Sequence, residues 1–175
     1  MSQFNKIMVF IDGSNIFHGC KDLNFEISYE TFVLILKEEK NVVRIFFYSG
    51  VKPPKENEKK FIKMLKHLEI EIITKLLKVR NFQCKFCKKR TKIYTEKGID
   101  ASLSTDLLWY AFQNAYDIAI LVSGDADFIP AIERVRLLGK RVEIWTFKHS
   151  IGKELKSKVD KVNFIDDIIE KIKKN

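Results

Sequence analysis

Cysteine, proline and glycine are all scarce, at three, three and seven of 175 residues. Three cysteines cannot build the disulfide framework of a small secreted domain. So little proline and glycine excludes collagen-like, linker-like and low-complexity chains. Also missing is any apolar run near the roughly 18 residues that cross a bilayer, and the opening MSQFNKIMVFIDG has no signal-peptide layout. What is present is 46% hydrophobic residues, ordinary for a packed core and too many for a disordered chain. A single cytoplasmic domain spanning residues 1–175, with no membrane association, is the expectation.

Acidic residues are absent between Glu71 and Glu96, and this gap organises the charge. Residues 52–97 hold fifteen Lys/Arg and five Asp/Glu, a net of +10, whereas the rest of the chain nets −1. A concentrated basic stretch raises the local concentration of a polyanion such as nucleic acid. A solvated lysine-rich surface is the plainer alternative.

Short apolar runs alternate with helical patterns. Lys6–Ile11 reads as a buried strand that stops at Asp12-Gly13, and Val42–Tyr48, Ile70–Leu77, Asp117–Val122 and Arg141–Thr146 read likewise. Between them Ser28 caps one helix, Pro53-Pro54 begins another, and a helix from about Asp100 to Ala115 turns Leu103, Leu107, Ala111 and Phe112 inward. In that helix Trp109 is placed in the core and Tyr110 partly at the surface. Phe128–Leu138 is a helix stopped by Gly139, and the tail from about Lys153 to Asn175 reads as mostly helical. Near-continuous hydrophobic strands separated by helices predict an α/β three-layer sandwich around a mainly parallel sheet. Lys78–Lys97 departs from the pattern as a basic, hairpin-like excursion, with Val79 and Phe82 on one arm and Ile93 and Tyr94 on the other.

In such sheets ligands bind beyond the carboxyl ends of the strands, where strand order switches. Asp12 follows one strand, and Asp125 and Asp127 follow another. Asp100 precedes a helix that reaches the same rim. Asp106 lies about 240° further around that helix and joins only if the helix enters obliquely. Clustered carboxylates repel one another, and Mg²⁺ or Mn²⁺ relieves the repulsion while leaving room for water and phosphate oxygens. Asp12, Asp100, Asp125 and Asp127 are the candidate metal ligands. Asn15 is a candidate hydrogen-bonding partner, and Ser14, Ser123 and the amides of Gly13 and Gly124 are candidate anion holders. Each Asp has a plainer reading as a turn former or helix cap.

Three blocks in this order, F-I-D-G-S-N-I at Phe10–Ile16, K-G-I-D-A-S-L-S-T-D at Lys97–Asp106 and S-G-D-A-D-F-I-P at Ser123–Pro130, resemble the NYN domain family, its LabA group. G-K-R-V at Gly139–Val142 adds to the match. That family belongs to the PIN-like nucleases. The resemblance covers roughly Ile7 to Trp145 and implies a PIN-like fold with metal-dependent ribonuclease activity. It also implies an acidic cluster at Asp12, Asp100, Asp125 and Asp127, with Asn15 and Asp106 beside it.

Two further features stand apart. Cys84 and Cys87 form a C-x₂-C pair, half of a structural Zn²⁺ site that a second copy of the chain, in a homodimer, would complete; two unliganded thiols are the alternative. Phe82, Phe86 and Tyr94 alternate with Arg80, Lys85, Lys88, Lys89, Arg90 and Lys92, a mixture that binds single-stranded RNA through stacking and phosphate contacts. Rings packing the base of a hairpin are equally common. The residues thus favour a metal-dependent endoribonuclease acting on single-stranded RNA, with a non-catalytic RNA- or protein-binding module as the competing class. A phosphatase using Asp12 as nucleophile would need an acid two residues on, where Ser14 stands.

Overall fold

The computed structural model describes residues 5–38, 41–51, 56–83, 85–95 and 98–174. Six strands form the central sheet: β1 (Ile7–Asp12), β2 (Val42–Val51), β3 (Ile70–Leu76), β6 (Ile118–Val122), β7 (Arg141–Thr146) and β8 (Lys161–Phe164). Their order is β3-β2-β1-β6-β7-β8, and every pairing between neighbours is parallel. The chain runs outward from β1 to β3, then crosses back to β6 and runs outward the other way. The order therefore reverses between β1 and β6, the point beyond whose carboxyl ends such sheets form their ligand crevice.

Both central strands are buried along their whole length because helices cover both faces. Val9, Ile11, Ile120 and Val122 face α1 (Gly13–Asp22), α2 (Tyr29–Lys37), α3 (Glu56–His67) and α7 (Ile169–Ile172). Met8, Phe10, Ala119 and Leu121 face α4 (Ile99–Phe112), α5 (Ile129–Leu137) and α6 (Lys153–Lys158). Ser28 caps α2, its Oγ accepting from the Thr31 amide at 3.3 Å. Gly139, at φ +77°, stops the chain just past α5, in a conformation that an L side chain rarely adopts.

The structure departs from the sequence pattern in three places. The tail is not continuously helical: β8 interrupts it and pairs with β7 as an edge strand. In α4 the buried stripe is Ile99, Leu103, Leu107 and Ala111, one residue every four. Phe112 lies half a turn from Leu103 and is 71% exposed, and Trp109 is 55% exposed rather than in the core. The two rings stack on each other at the surface, 6.4 Å apart. Strand β2 continues past Tyr48 to Val51, because β3 pairs with it along that stretch. The Pro53-Pro54 helix start lies outside the described residues.

The excursion is an antiparallel hairpin, β4 (Lys78–Gln83) with β5 (Arg90–Thr95), in a sheet of its own. Val79 opposes Tyr94 as expected, but Phe82 opposes Thr91 and Arg80 opposes Ile93. Strand β3 runs parallel to β1, so the hairpin leaves the sheet at the rim where β1 and β6 end. It returns at Gly98, directly before α4. Lys75 Nζ donates to the Gly98 carbonyl at 2.7 Å and Ser102 Oγ donates to the same oxygen at 3.0 Å, fixing the root of the hairpin beside Asp100.

Candidate active site at the carboxyl rim

Asp12 ends β1 and is only 3% exposed. A carboxylate that deep needs hydrogen bonds, and both of its oxygens have them. Oδ1 accepts from the Ser14 amide, Ser14 Oγ and the Asn15 amide, each at 3.1 Å, which caps α1. Oδ2 accepts from Ser123 Oγ at 3.0 Å, across the sheet switch. Asn15 Oδ1 accepts from the Gly124 amide at 3.2 Å, a second bond between the β1 and β6 corners.

The β6 corner is tight for a reason that only the three-dimensional fold reveals. A side chain at Gly124 would place its Cβ 2.5 Å from Thr146 Oγ1 and 2.7 Å from the Ser150 carbonyl. Gly13 is equally confined, with the Phe47 ring at 2.5 Å and the Tyr48 carbonyl at 2.8 Å from such an atom. Beyond Gly124, half-buried Asp125 receives the Asp127 amide on Oδ1 at 2.9 Å, and its own amide donates to Ser123 Oγ at 3.2 Å. This bond starts a short 3-10 turn, Ala126–Phe128, that leads into α5 and leaves Asp127 exposed.

Asp100 sits in the first turn of α4 and remains accessible to solvent. Its carboxyl is held above the ordinary carboxylate range, first by partial loss of hydration and then by the charges of Asp12, Asp125 and Asp127. Four carboxylates from three separate stretches of chain thus share one electrostatic neighbourhood. Asp106 is not among the charges that raise Asp100; its Oδ2 accepts from Tyr48 Oη at 2.8 Å, holding it against β2. That bond, with desolvation as the larger cause, pushes the Tyr48 phenol far up.

Ser14, Ser123 and the Gly124 amide, read from sequence as anion holders, are committed to Asp12 and Asn15. Tyr48 and Lys75 escaped the sequence reading, since a Tyr in an apolar strand and a Lys in a basic stretch carry no sign of their distant partners. Among the described residues, no three His, Cys, Asp or Glu side chains converge closely enough to hold a metal by themselves. The donor set nevertheless suits a hard divalent cation, because it is all oxygen and its members repel. Mg²⁺ commonly takes only one or two carboxylates and completes its shell with water and phosphate. Nothing in the structure supports zinc at the C-x₂-C pair: Cys84 lies outside the described residues, and Cys87 is an exposed free thiol.

The rest of the predicted RNA-binding set lies on the hairpin. Lys85, Phe86, Lys88 and Lys89 surround its tip, Phe82 is on β4 and Arg90 and Lys92 are on β5. No helix among the described residues is long and apolar enough to cross a membrane.

The NYN domain model matches residues 6–168, nearly the whole chain. The low amplitude and bright protein LabA of Synechococcus elongatus is 25% identical over 172 residues, covering 97% of this chain and 89% of that protein. A crystal structure of a protein of unknown function from Vibrio parahaemolyticus superposes with a TM-score of 0.77 at 24% identity, covering 95% of this chain and 96% of the other. The matched span contains both strand ends of the crevice, the α4 aspartate and the hairpin between them, and by it the chain belongs to the NYN domain family, whose members are typically PIN-like nucleases.

Proposed function

We propose that this chain hydrolyses phosphodiester bonds of single-stranded RNA as an endonuclease, with Mg²⁺ or Mn²⁺ held at the β1–β6 rim by Asp12, Asp100, Asp125 and Asp127. One observation carries the reading: Asp100 is raised by desolvation and, beyond that, by the charges of the other three, so these carboxylates form a group that a cation would relieve. When bound, the cation supplies activation of water at neutral pH and neutralisation of phosphate charge. Asp12, fixed by hydrogen bonds on both oxygens, gives the site a charge that cannot swing away. Asp125 and Asp127, on a short turn, are the more adaptable pair. Asn15 keeps the two strand corners in register.

A non-catalytic RNA-binding module is favoured by one observation, that the described side chains gather no three metal ligands. Incubation of end-labelled single-stranded RNA with the protein in Mg²⁺, Mn²⁺ or EDTA separates the two readings. Asp125→Asn keeps shape and removes a charge, and we expect its turnover to fall by orders of magnitude with folding intact. Cleavage that survives EDTA or this substitution would refute the metal-dependent mechanism. Binding without cleavage in every metal would favour the non-catalytic module.

A further inference from the structure

We propose that the β4–β5 hairpin is a platform for single-stranded RNA, one face of which leads the strand to the carboxylate rim. The identity of its polyanion rests on the ribonuclease reading above; the platform itself rests on the hairpin. The register settles which residues can act together. Side chains alternate between the two faces of a strand, so the cross-strand pairs Val79–Tyr94, Asn81–Lys92 and Gln83–Arg90 share one face. Phe82 and Thr91 belong to the other. The first face therefore presents a ring, two amides and two cations over a length of about 20 Å, six residues at the usual strand rise.

Chemistry fits this ladder to a single strand. Tyr94 is 41% exposed, enough for a base to stack on. Lys92 and Arg90 are exposed and, among the described residues, make no ion pair, so their charge is available to phosphates. Asn81 can donate to and accept from base edges, and Gln83 braces the tip through Nε2, which donates to the Lys88 carbonyl at 3.2 Å. At the tip Phe86 is 97% exposed, between Lys85 and the run Lys88-Lys89-Arg90. A ring so bare among cations gains most by meeting a flat aromatic ligand whose backbone is anionic.

Position fits as well. The hairpin leaves the sheet at the carboxyl rim and returns to it two residues before Asp100, with the Lys75–Gly98 bond holding the root in place. A basic arm with a Phe at its tip would also suit an anionic lipid surface. One feature argues against that: the ring and amides are spread along the arm rather than gathered at the tip.

Fluorescence anisotropy of a labelled oligouridine, with the full-length protein in EDTA so that metal-dependent cleavage is off, tests the proposal. Tyr94→Ala and Phe86→Ala should each weaken binding about 5- to 150-fold, the fold-change that corresponds to 1–3 kcal/mol per stacked base. The combined K88S/K89S/R90S variant should lower the slope of log K against log salt by about 2, at roughly 0.7 per phosphate contact on a single strand. A K63S/K66S control on α3, in the same basic stretch but off the hairpin, should stay within twofold of the parent. Unchanged affinity in the ring variants, or an equal loss in the α3 control, would overturn the platform. So would sedimentation with phosphatidylserine vesicles that Phe86→Ala abolishes while RNA affinity stays unchanged. Binding lost in the hairpin variants, with no cleavage by the parent in any metal, would keep the platform and sink the ribonuclease. Cleavage by the parent with unaltered KM in the hairpin variants would do the reverse.

Discussion

Asp100→Asn should stabilise the metal-free protein while removing its cleavage activity, because the charge that serves the site opposes the fold. Asp100 is raised in the native state by desolvation and by three like charges, and it returns to an ordinary value on unfolding. Below that ordinary value both states are protonated and the charge costs nothing. Between that ordinary value and the raised native one the unfolded chain ionises while the native carboxyl still holds its proton, so the cost grows with pH and levels off above the native value. Each like-charge pair at a solvent-reached site contributes a few tenths of a kcal/mol, so three of them amount to about 0.5–1 kcal/mol after screening. For a chain of this size that corresponds to a rise of about 1–4 °C in Tm. Thermal melts in EDTA across a pH series should show no difference between parent and variant in acid and a gain that grows with pH and then levels off. Excess Mg²⁺ should narrow or invert the gain, since it stabilises the parent. A variant less stable than the parent at neutral pH would show that the helix terminus, and not the neighbouring carboxylates, governs Asp100.

Gly13→Ala should lower stability by about 1–3 kcal/mol in urea melts, since its methyl group would press on the Phe47 ring and the Tyr48 carbonyl together. Tyr48→Phe removes the hydroxyl that binds Asp106 and should cost about 1 kcal/mol, with cleavage kept within a few-fold if Asp106 stands outside the catalytic group. Cys20 is buried, and desolvation pushes its thiol up to about 11, so in native protein at pH 8 a thiol reagent should modify exposed Cys87 quickly and Cys20 only after unfolding. Equal labelling rates for the two would mean that the α1 face of the core opens readily.

The parallel sheet was legible because β1 and β6 are apolar throughout, a pattern that only a sheet covered on both faces requires. Asp12 and Asp125 were legible as rim residues for the same reason, since one closes such a strand and the other stands three residues past the end of the second. The short strand β8 was hidden: K-V-N-F does alternate, but four residues at a sheet edge are too few to stand out from a tail with helical patterning on both sides. Trp109 and Phe112 were misplaced because α4 is apolar on several sides, and composition outweighed the 100° step that turns them away from Leu103. The hydrogen bond from Ser123 to Asp12 spans 111 residues, and Tyr48 reaches Asp106 across 58. Such bonds depend on which strands become neighbours, information that no local window contains.

The pairing of β1 with β6 also sets an order of events during synthesis. Asp12 emerges early and can join β2 once α1 and α2 have formed, but β6 follows only after more than a hundred further residues. Contacts of such separation close late, because their loop entropy must be overcome before they gain anything. A chain interrupted before residue 118 has Asp12 and Asp100 but neither Asp125 nor Asp127, and no Ser123 to fix the buried carboxylate. The acidic group is thus incomplete until β6 and the turn that follows it have been made. If the proposed cleavage holds, a nascent chain still tethered beside messenger and ribosomal RNA would spare both until β6 had joined the sheet.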